Sequence, residues 1–318
     1  MTTFASRVTA AVLIAGTCFL LFPLKLGFAR HPVDGWLGAI FNPFLAADKP
    51  YNLLPSLHIT LRTILASLYA RKTRGVANLA VHVWFSLVGL STLLTHQHQV
   101  VDVIGGFALA GLVTYLIQPT AHRLPLTPNP RIAVCYGLTA LVMIVLCSVT
   151  CREGIVFLWP AAGMIIVAMA YLGLGPGVYR KMEGRLPLST RCVLGPVLLG
   201  QFLSLVYYRR QCRPWDAVTP QVLIGRQLDD ALAAKARAEG VTAVLDLTAE
   251  FAEAKPFLAL AANYQNIQVL DLTRPAVEQM QEMAAFIAQH AGQGRVYVHC
   301  KIGYSRSAAA VGAYLLAS

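Results

Sequence analysis

A segment near the C-terminal end of the sequence has the residue types and the spacing of a phosphate-transfer site. The segment "VYVHCKIGYSRS", residues 296–307, places Cys300 directly after a predicted strand and Arg306 at the start of a predicted helix. Convergent backbone N–H groups at a helix N-terminus bind anions and lower the pKa of a nearby thiol, so Cys300 can act as a nucleophile. Arg306 can donate to two phosphate oxygens, and Gly303 permits a phosphate-binding turn that a Cβ atom would hinder.

The spacing of one cysteine, five residues and one arginine resembles the signature of the protein tyrosine and dual-specificity phosphatase superfamily. The resemblance covers roughly residues 215–318. It implies that Cys300 forms a phosphocysteine and that Arg306 holds the phosphoryl group. It also implies that Ser307 assists breakdown of the intermediate and that His299 tunes the thiol. An enzyme of this kind needs neither a metal nor another cofactor.

Such an enzyme also needs an acid that protonates the leaving oxygen. In the superfamily this acid is an aspartate on a loop some tens of residues before the cysteine. Asp271, at the end of "NIQVLD", is our candidate, and Asp246, in "VLDLTAE", is the rival. Lys301 and Tyr304 in the cysteine loop suggest a substrate of the phosphoinositide or phosphatidylglycerol-phosphate type.

A second group of polar residues lies at the ends of apolar blocks in the first third of the sequence. His98 begins one block, and Asp102 follows one helical turn later on the same face. An aspartate in this position can accept from one imidazole nitrogen and leave the other as a nucleophile. His58 begins another block, and polar residues at such helix ends are functional candidates in membrane proteins.

The motifs "PSLH" and "HQVVD" resemble those of the type 2 phosphatidic acid phosphatase superfamily. The match is closest to its branch with inositol phosphorylceramide synthases, and it covers residues 1 to about 175. By this resemblance His98 attacks the phosphorus, Asp102 orients His98, and His58 protonates the leaving group. No metal is implied at this site either.

The remaining motifs of that superfamily are only partly present. The resemblance gives Ser56 a role in phosphate binding, and Lys25 and Arg30 would supply positive charge to the same phosphate. The third motif of the superfamily has an arginine after its serine, whereas Ser91 is followed here by Thr92. This departure makes a phosphotransferase a plausible alternative to a phosphatase.

The two groups of residues must be positioned by elements of different character. The chain is 56% hydrophobic and 13% charged, against about 25% charged residues in soluble domains. The apolar residues form blocks in the first two thirds of the chain, close to the ~20 residues that cross a bilayer core. The net charge of +11 comes largely from basic residues in short loops. It therefore indicates cytoplasmic loops rather than nucleic-acid binding.

Six apolar blocks are predicted to span the membrane, at residues 8–24, 57–70, 76–95, 98–117, 132–150 and 154–173. The basic loops then predict a protein of the cell (inner) membrane with its cysteine domain in the cytoplasm and its histidine site on the opposite face. A seventh block, residues 191–208, is broken by glycine and proline. We interpret it as re-entrant or lying along the membrane. If it spans, the C-terminal domain changes side.

The expected architecture is a multi-pass α-helical membrane bundle followed by an α/β cysteine-phosphatase domain. The membrane domain covers residues 1–175, a basic, membrane-associated or re-entrant connector covers 176–214, and alternating strands and helices indicate an α/β domain over 215–318. Members of the cysteine-phosphatase superfamily carry further helices after the loop helix. We therefore expect the C-terminal domain to be minimal or truncated.

These observations lead to three hypotheses about function. The first is a membrane-bound lipid phosphatase with a phosphohistidine site and a phosphocysteine site, acting on phospholipid phosphomonoesters in the bilayer. The second is a phospholipid headgroup phosphotransferase with an attached phosphatase. The third is a membrane-anchored protein phosphatase whose membrane half is a degenerate anchor.

Overall fold

The computed structural model describes residues 2–27, 32–47, 51–118, 127–150, 154 and 156–317. The contacts among its residues divide the chain into two compact units, residues 1–120 and residues 121–318. We predicted the first domain boundary at residue 175 instead. The difference arises because the helices that follow residue 129 pack against the connector and the C-terminal domain.

The described part of the first unit is helical. Its helices are α1 (Thr2–Leu21), α2 (Gly35–Ala47), α3 (Leu57–Lys72), α4 (Gly75–Leu94) and α5 (Val100–Leu116). Helices α1, α3 and α5 share a core that includes Ala11, Ile64 and Leu109. The small alanine side chains allow these helices to approach closely, as is common for helices in membranes.

Polar groups bring the N-terminal ends of α3 and α5 together. The Ser56 hydroxyl accepts from the N–H of Ile59 at 3.3 Å and caps α3. In α5 the bond runs the other way, since the carboxylate of Asp102 in the first turn accepts from the N–H of Gln99, the residue before the helix, at 2.9 Å. The Ser56 N–H also donates to the Asp102 carbonyl at 3.0 Å. Residues at the two helix starts are therefore neighbours.

The second unit begins with helices and continues with an α/β domain. The helices are α6 (Pro130–Val149), α7 (Leu158–Met169), α8 (Leu188–Val193) and α9 (Gly195–Tyr208), with a π-helical turn at Ala170–Leu174 after α7. The seventh apolar block is thus two helices, separated at Leu194. Whether this segment touches the membrane stays a prediction.

The α/β domain is built on a five-stranded mixed sheet. Its elements are β1 (Trp215–Ala217), β2 (Val222–Arg226), α10 (Asp230–Ala238), β3 (Val241–Asp246), α11 (Lys255–Leu258), β4 (Tyr264–Asn266), α12 (Val277–Ala291), β5 (Arg295–Cys300) and α13 (Arg306–Ala317). The strand order is β1-β2-β5-β3-β4, with β1 antiparallel to β2 and the other pairs parallel. This arrangement agrees with the predicted α/β phosphatase domain.

Strand β5 lies in the middle of the sheet and is buried on both faces. Val296 and Val298 belong to the core that contains Met283 of α12, whereas Tyr297 belongs to the core that contains Phe257 of α11. Alternate side chains of a strand point to opposite faces, so the two cores lie on opposite sides of the sheet. The strand that delivers the candidate nucleophile is thereby fixed from both sides.

Besides the two cores of the sheet, the second unit has another core, which joins the apolar helices to loops of the phosphatase domain. Ala133 of α6, Val167 of α7 and Val178 of the connector share it with Ala249 and Leu270, which lie in loops after β3 and β4. Both loop residues are almost completely buried. The first part of the predicted connector is therefore packed into the phosphatase unit.

Three helices in the described part of the chain are long and apolar enough to cross a membrane. They are Thr2–Leu21, Gly75–Leu94 and Pro130–Val149. Shorter apolar helices occupy Val100–Leu116, Leu158–Leu174 and Gly195–Tyr208. The predicted block at 57–70 forms part of α3, which carries Arg62. The count of six spans stays a prediction.

Candidate active site

Cys300 ends the central strand β5, and Arg306 begins α13 after a loop of five residues. The thiol is 2% exposed, and its sulfur lies 3.3 Å from the Ser307 hydroxyl. Gly303 has a φ of 83°, a left-handed value that L side chains rarely adopt. A Cβ atom there would lie 2.8 Å from the carbonyl carbon of Gly225. The loop therefore requires glycine at this position.

Two opposing effects act on the pKa of the Cys300 thiol. Burial alone would raise the pKa, but the positive charge of Arg306, the Ser307 hydroxyl and backbone N–H groups of Ser307 and Gly303 stabilise the thiolate. The net result is a pKa below the ordinary value of a cysteine. The loop thus has the electrostatic environment of a nucleophilic thiolate.

Arg306 is almost completely buried and is held by a carboxylate that we did not predict. Its Nη2 donates to Glu250 Oε1 at 2.7 Å and its Nη1 to Glu250 Oε2 at 3.1 Å, a bidentate pair. Nη1 also donates to the Val269 carbonyl at 2.8 Å. Burial would lower the pKa of Arg306, but Glu250 and Asp271 raise it. Within the described residues, Arg306 Nε is buried without a hydrogen-bond partner, so this donor can serve a phosphoryl oxygen.

The two candidate acids lie in different environments. Asp271 is partly exposed beside the loop, with Oδ1 at 3.2 Å from Arg306 Nη2 and Oδ2 at 3.8 Å from Lys301 Nζ. Asp246 is fully buried, with Oδ2 at 2.5 Å from Lys181 Nζ and 2.8 Å from the Tyr264 hydroxyl. A carboxylate enclosed by such donors cannot reach a substrate. The geometry therefore favours Asp271.

His299 lies behind the nucleophile in a buried polar network. Its Nε2 is 2.7 Å from Glu253 Oε2 and 3.9 Å from Asp246 Oδ1. Burial would lower the pKa of His299, but the negative charge of Glu253 and its hydrogen bond raise it above the ordinary value. Although these three residues could ligate a metal by type and distance, the Lys181 ammonium already provides the positive charge beside Asp246.

Lys181 and Glu250 could not be recognised as site residues from the sequence. Lys181 lies in "YRKMEGR", which we interpreted as a basic loop beside the membrane, and its partner Asp246 is 65 residues away. Glu250 follows β3 in "LDLTAEFAE". The one available signal was its position at the carboxyl end of a buried parallel strand, where ligands of α/β proteins commonly bind.

The first unit brings together the residues of the predicted histidine site. His58 Nδ1 lies 3.2 Å from His98 Nε2, and His98 Nδ1 lies 3.6 Å from Asp102 Oδ2. His98 and Asp102 are both buried. Asp102 therefore faces one imidazole nitrogen of His98 while His58 faces the other, and the catalytic roles of the three residues stay predictions.

The structure describes two of the three residues that we predicted to bind phosphate in this unit, Ser56 and Lys25. Ser56 is fully buried at the cap of α3, two residues before His58. Lys25 holds its ammonium 5.0 Å from the centre of the Tyr51 ring. Arg30 lies outside the described residues. The roles of all three stay predictions.

Comparison with known protein families bears on the cysteine site. Residues 224–318 match the family model "Dual specificity phosphatase, catalytic domain". No type 2 phosphatidic acid phosphatase model matches, so that resemblance stays a prediction. No curated protein matches the chain. The chain carries a dual-specificity phosphatase catalytic domain at residues 224–318, and the prediction that it is a phosphatase, a phosphoric monoester hydrolase, is confirmed.

Proposed function

We propose that the cysteine site hydrolyses the phosphomonoester headgroup of a phospholipid at the membrane surface. The observation that carries this proposal is the shared core of α6 with the site loops. Helix α6 is long and apolar enough to cross a bilayer, and its Ala133 belongs to the same core as Ala249 and Leu270. Leu270 directly precedes Asp271, so a bilayer crossed by α6 would lie close to the site.

The surface around the cysteine loop is suited to a lipid headgroup. Tyr304 is 61% exposed and Leu272 is 60% exposed, and both flank the site loops. Lys301 lies between Tyr304 and the nucleophile in sequence and approaches Asp271. Exposed apolar side chains beside a cation match an acyl chain region next to an anionic phosphate.

The proposed reaction proceeds in two balanced steps. The Cys300 thiolate attacks phosphorus, an S–P bond forms, the ester P–O bond breaks, and the leaving oxygen takes a proton from Asp271. Water then attacks the phosphocysteine and gives its proton to the Asp271 carboxylate, while the S–P bond breaks and Ser307 donates to the departing thiolate. Arg306 stabilises the charge on the phosphoryl oxygens in both steps.

The test compares lipid with phosphoprotein substrates. Purified full-length chain in mixed micelles is given phosphatidylglycerol phosphate, a phosphoinositide, phosphatidic acid or a phosphotyrosine peptide, and released phosphate is measured. We expect at least one lipid to have a higher kcat/KM than the peptide, and Cys300→Ser to abolish that activity. A peptide preferred over every lipid would contradict the proposal and favour a protein phosphatase with a membrane anchor.

We propose a second phosphoryl-transfer site at His98, because the predicted residues converge around its imidazole. His98 Nε2 would attack phosphorus, Asp102 would orient the ring through Nδ1, and His58 would protonate the leaving group. The phosphohistidine would then pass its phosphoryl group to water or to another lipid headgroup. The distances of 3.2 Å and 3.6 Å within the triad support this proposal.

The same assay separates the two sites. We expect His98→Ala to remove one lipid activity that Cys300→Ser leaves intact. Transfer of phosphate to an added diacylglycerol or alcohol, rather than to water, would favour the phosphotransferase hypothesis. If His98→Ala and His58→Ala change no activity, the first unit is an anchor and the second site is disproved.

We also propose that the cysteine domain lies in the cytoplasm of a cell whose inner membrane holds the chain. The basic loops support this orientation, and a reducing compartment suits a free thiolate. A reporter fused after Ser318 that is active only in the cytoplasm should be active. An inactive reporter, together with an active periplasmic one, would reverse the proposed orientation.

A further inference from the structure

The loop that carries Asp271 contains a residue in an unfavourable backbone conformation. Leu272 has a φ of 57°, in the left-handed region that is unfavourable for a residue other than glycine. Its side chain is 60% exposed, so packing of that side chain does not hold the conformation. Such a residue keeps its conformation only when its surroundings fix the backbone.

Two side chains from outside the α/β domain fix this backbone. The Tyr171 hydroxyl donates to the Asp271 carbonyl at 3.0 Å, and the Asn129 side-chain amide donates to the Leu272 carbonyl at 2.8 Å. Thr127 donates to the Arg274 carbonyl a few residues later. The carbonyls on both sides of the left-handed residue are therefore held by side chains that precede the family match by 50 residues or more.

The two donors are themselves held by the apolar helices. Asn129 caps α6, since its side-chain oxygen accepts from the N–H of Ile132 at 3.4 Å. Tyr171 lies in the π-helical turn after α7, is 2% exposed and stacks on Tyr136 with 5.7 Å between ring centres. The Asn129 N–H also donates to the Tyr171 carbonyl at 3.0 Å. The donors thus form one rigid pair.

We propose that Asn129 and Tyr171 are positioning residues that hold Asp271 in line with the leaving group. The inference rests on the proposed role of Asp271 as the general acid. The carboxyl of Asp271 must lie within hydrogen-bond reach of the leaving oxygen while Cys300 attacks from the opposite side. A small displacement of the loop lowers proton donation without changing the thiolate. The ends of two apolar helices therefore control the acid step of the phosphatase.

The test uses two aryl phosphates that differ in their need for an acid. The leaving group of 4-nitrophenyl phosphate departs with little protonation, whereas that of phenyl phosphate requires a proton. The measured quantity is the ratio of kcat/KM for phenyl phosphate to kcat/KM for 4-nitrophenyl phosphate in the full chain, because kcat/KM reports cleavage of the ester and not the later hydrolysis of the common phosphocysteine. Asp271→Asn should lower this ratio about a hundredfold, since general acids contribute roughly 10²–10⁴ in rate.

The positioning variants remove one donor each. Tyr171→Phe deletes the hydroxyl, and Asn129→Asp deletes the amide donor while keeping an oxygen that can cap α6. Each should lower the ratio about tenfold, because misplacement of a catalytic group by a fraction of an ångström costs rate on this scale. Tyr136→Phe is the matched control, since it keeps the ring that stacks on Tyr171 and removes a hydroxyl that is not among the donors to the acid loop in the described residues, and it should keep the wild-type ratio.

The outcomes separate the two levels of the proposal. If Asp271→Asn leaves the ratio unchanged, the proposed acid role is overturned and the positioning role falls with it. If Asp271→Asn lowers the ratio but both positioning variants keep the wild-type value, the positioning role alone is overturned. If the variants lower both rates equally together with the thermal midpoint, the two residues serve general stability, and the inference is also overturned.

Discussion

The sulfur of Cys300 lies where burial and local charge act in opposite directions. The thiol is almost completely buried, yet its pKa lies below the ordinary value, because the stabilising groups outweigh the loss of water. Arg306 supplies the charge, and the Glu250 carboxylate holds its guanidinium in place. Burial would raise the pKa of Glu250, but Arg306 lowers it, so this pair stays ionised. The nucleophile is thus prepared before the substrate arrives.

We predict that Ser307→Ala destabilises the thiolate form of Cys300. The substitution removes the hydroxyl 3.3 Å from Cys300 Sγ, and a hydrogen bond to a charged group contributes about 1.5–3 kcal/mol. The pKa of Cys300 should rise, so alkylation by iodoacetamide should be roughly tenfold slower at mildly acidic pH. The difference should vanish at high pH, where both thiols are ionised. Equal rates at all pH values would contradict this role of Ser307.

At the scale of elements, the strand, loop and helix around Cys300 were predictable because their residues are contiguous. The segment 296–307 contains the nucleophile, the glycine turn and the arginine together, and β5 and α13 form where expected. Asp271 was also predictable, as an aspartate directly after an apolar run. Local sequence determines these elements, so a single pass along the chain can identify them.

The partners of these elements were not predictable, because they come from distant segments. Lys181 is a basic residue in a basic loop, and composition cannot distinguish an exposed charge there from a buried one. Only the fold places it beside Asp246, and only the fold places Tyr171 and Asn129 on the acid loop. A pattern of apolar blocks indicates membrane helices but not what their ends contact.

We predict that Lys181→Met destabilises the phosphatase unit by about 3–5 kcal/mol at neutral pH, because it leaves Asp246 buried without its charge partner. Burial would raise the pKa of Asp246, but Lys181 and His299 hold it below the ordinary value. A lowered pKa contributes stability that is present above the unfolded-state pKa and lost as pH falls through the folded value. The difference in unfolding free energy between the wild type and Lys181→Met should therefore become smaller as the pH falls.

The measurement is the thermal midpoint of the full chain in detergent across pH. Lys235→Met is the matched control, since Lys235 forms an exposed pair with Glu239 at 3.9 Å and such pairs contribute little. Lys181→Arg keeps the charge and should restore part of the lost stability. A Lys181→Met midpoint equal to that of the control at neutral pH would show that the buried pair is dispensable.

At the scale of the whole molecule, each compact unit contains one candidate phosphoryl-transfer site. The cysteine site draws residues from far beyond the family match at 224–318, since Lys181, Tyr171 and Asn129 all precede it. The histidine site lies wholly within residues 1–120. We therefore expect the functional phosphatase to correspond to the compact unit rather than to the matched residues alone.

We predict that a fragment of residues 121–318 keeps the thermal midpoint and the 4-nitrophenyl phosphatase activity of the cysteine site in detergent, whereas residues 215–318 lose both. The shorter fragment would expose Ala249 and Leu270, which are now buried against the helices and connector, and would leave Asp246 without Lys181.

A fragment of residues 176–318 keeps Lys181 but lacks the donors to the acid loop. It should fold with a lower thermal midpoint and should have a reduced ratio of kcat/KM for phenyl phosphate to kcat/KM for 4-nitrophenyl phosphate. Full activity and stability in residues 215–318 would show instead that the upstream segments are accessory, because the α/β sheet alone would then suffice to hold Cys300, Arg306 and Asp271 in place.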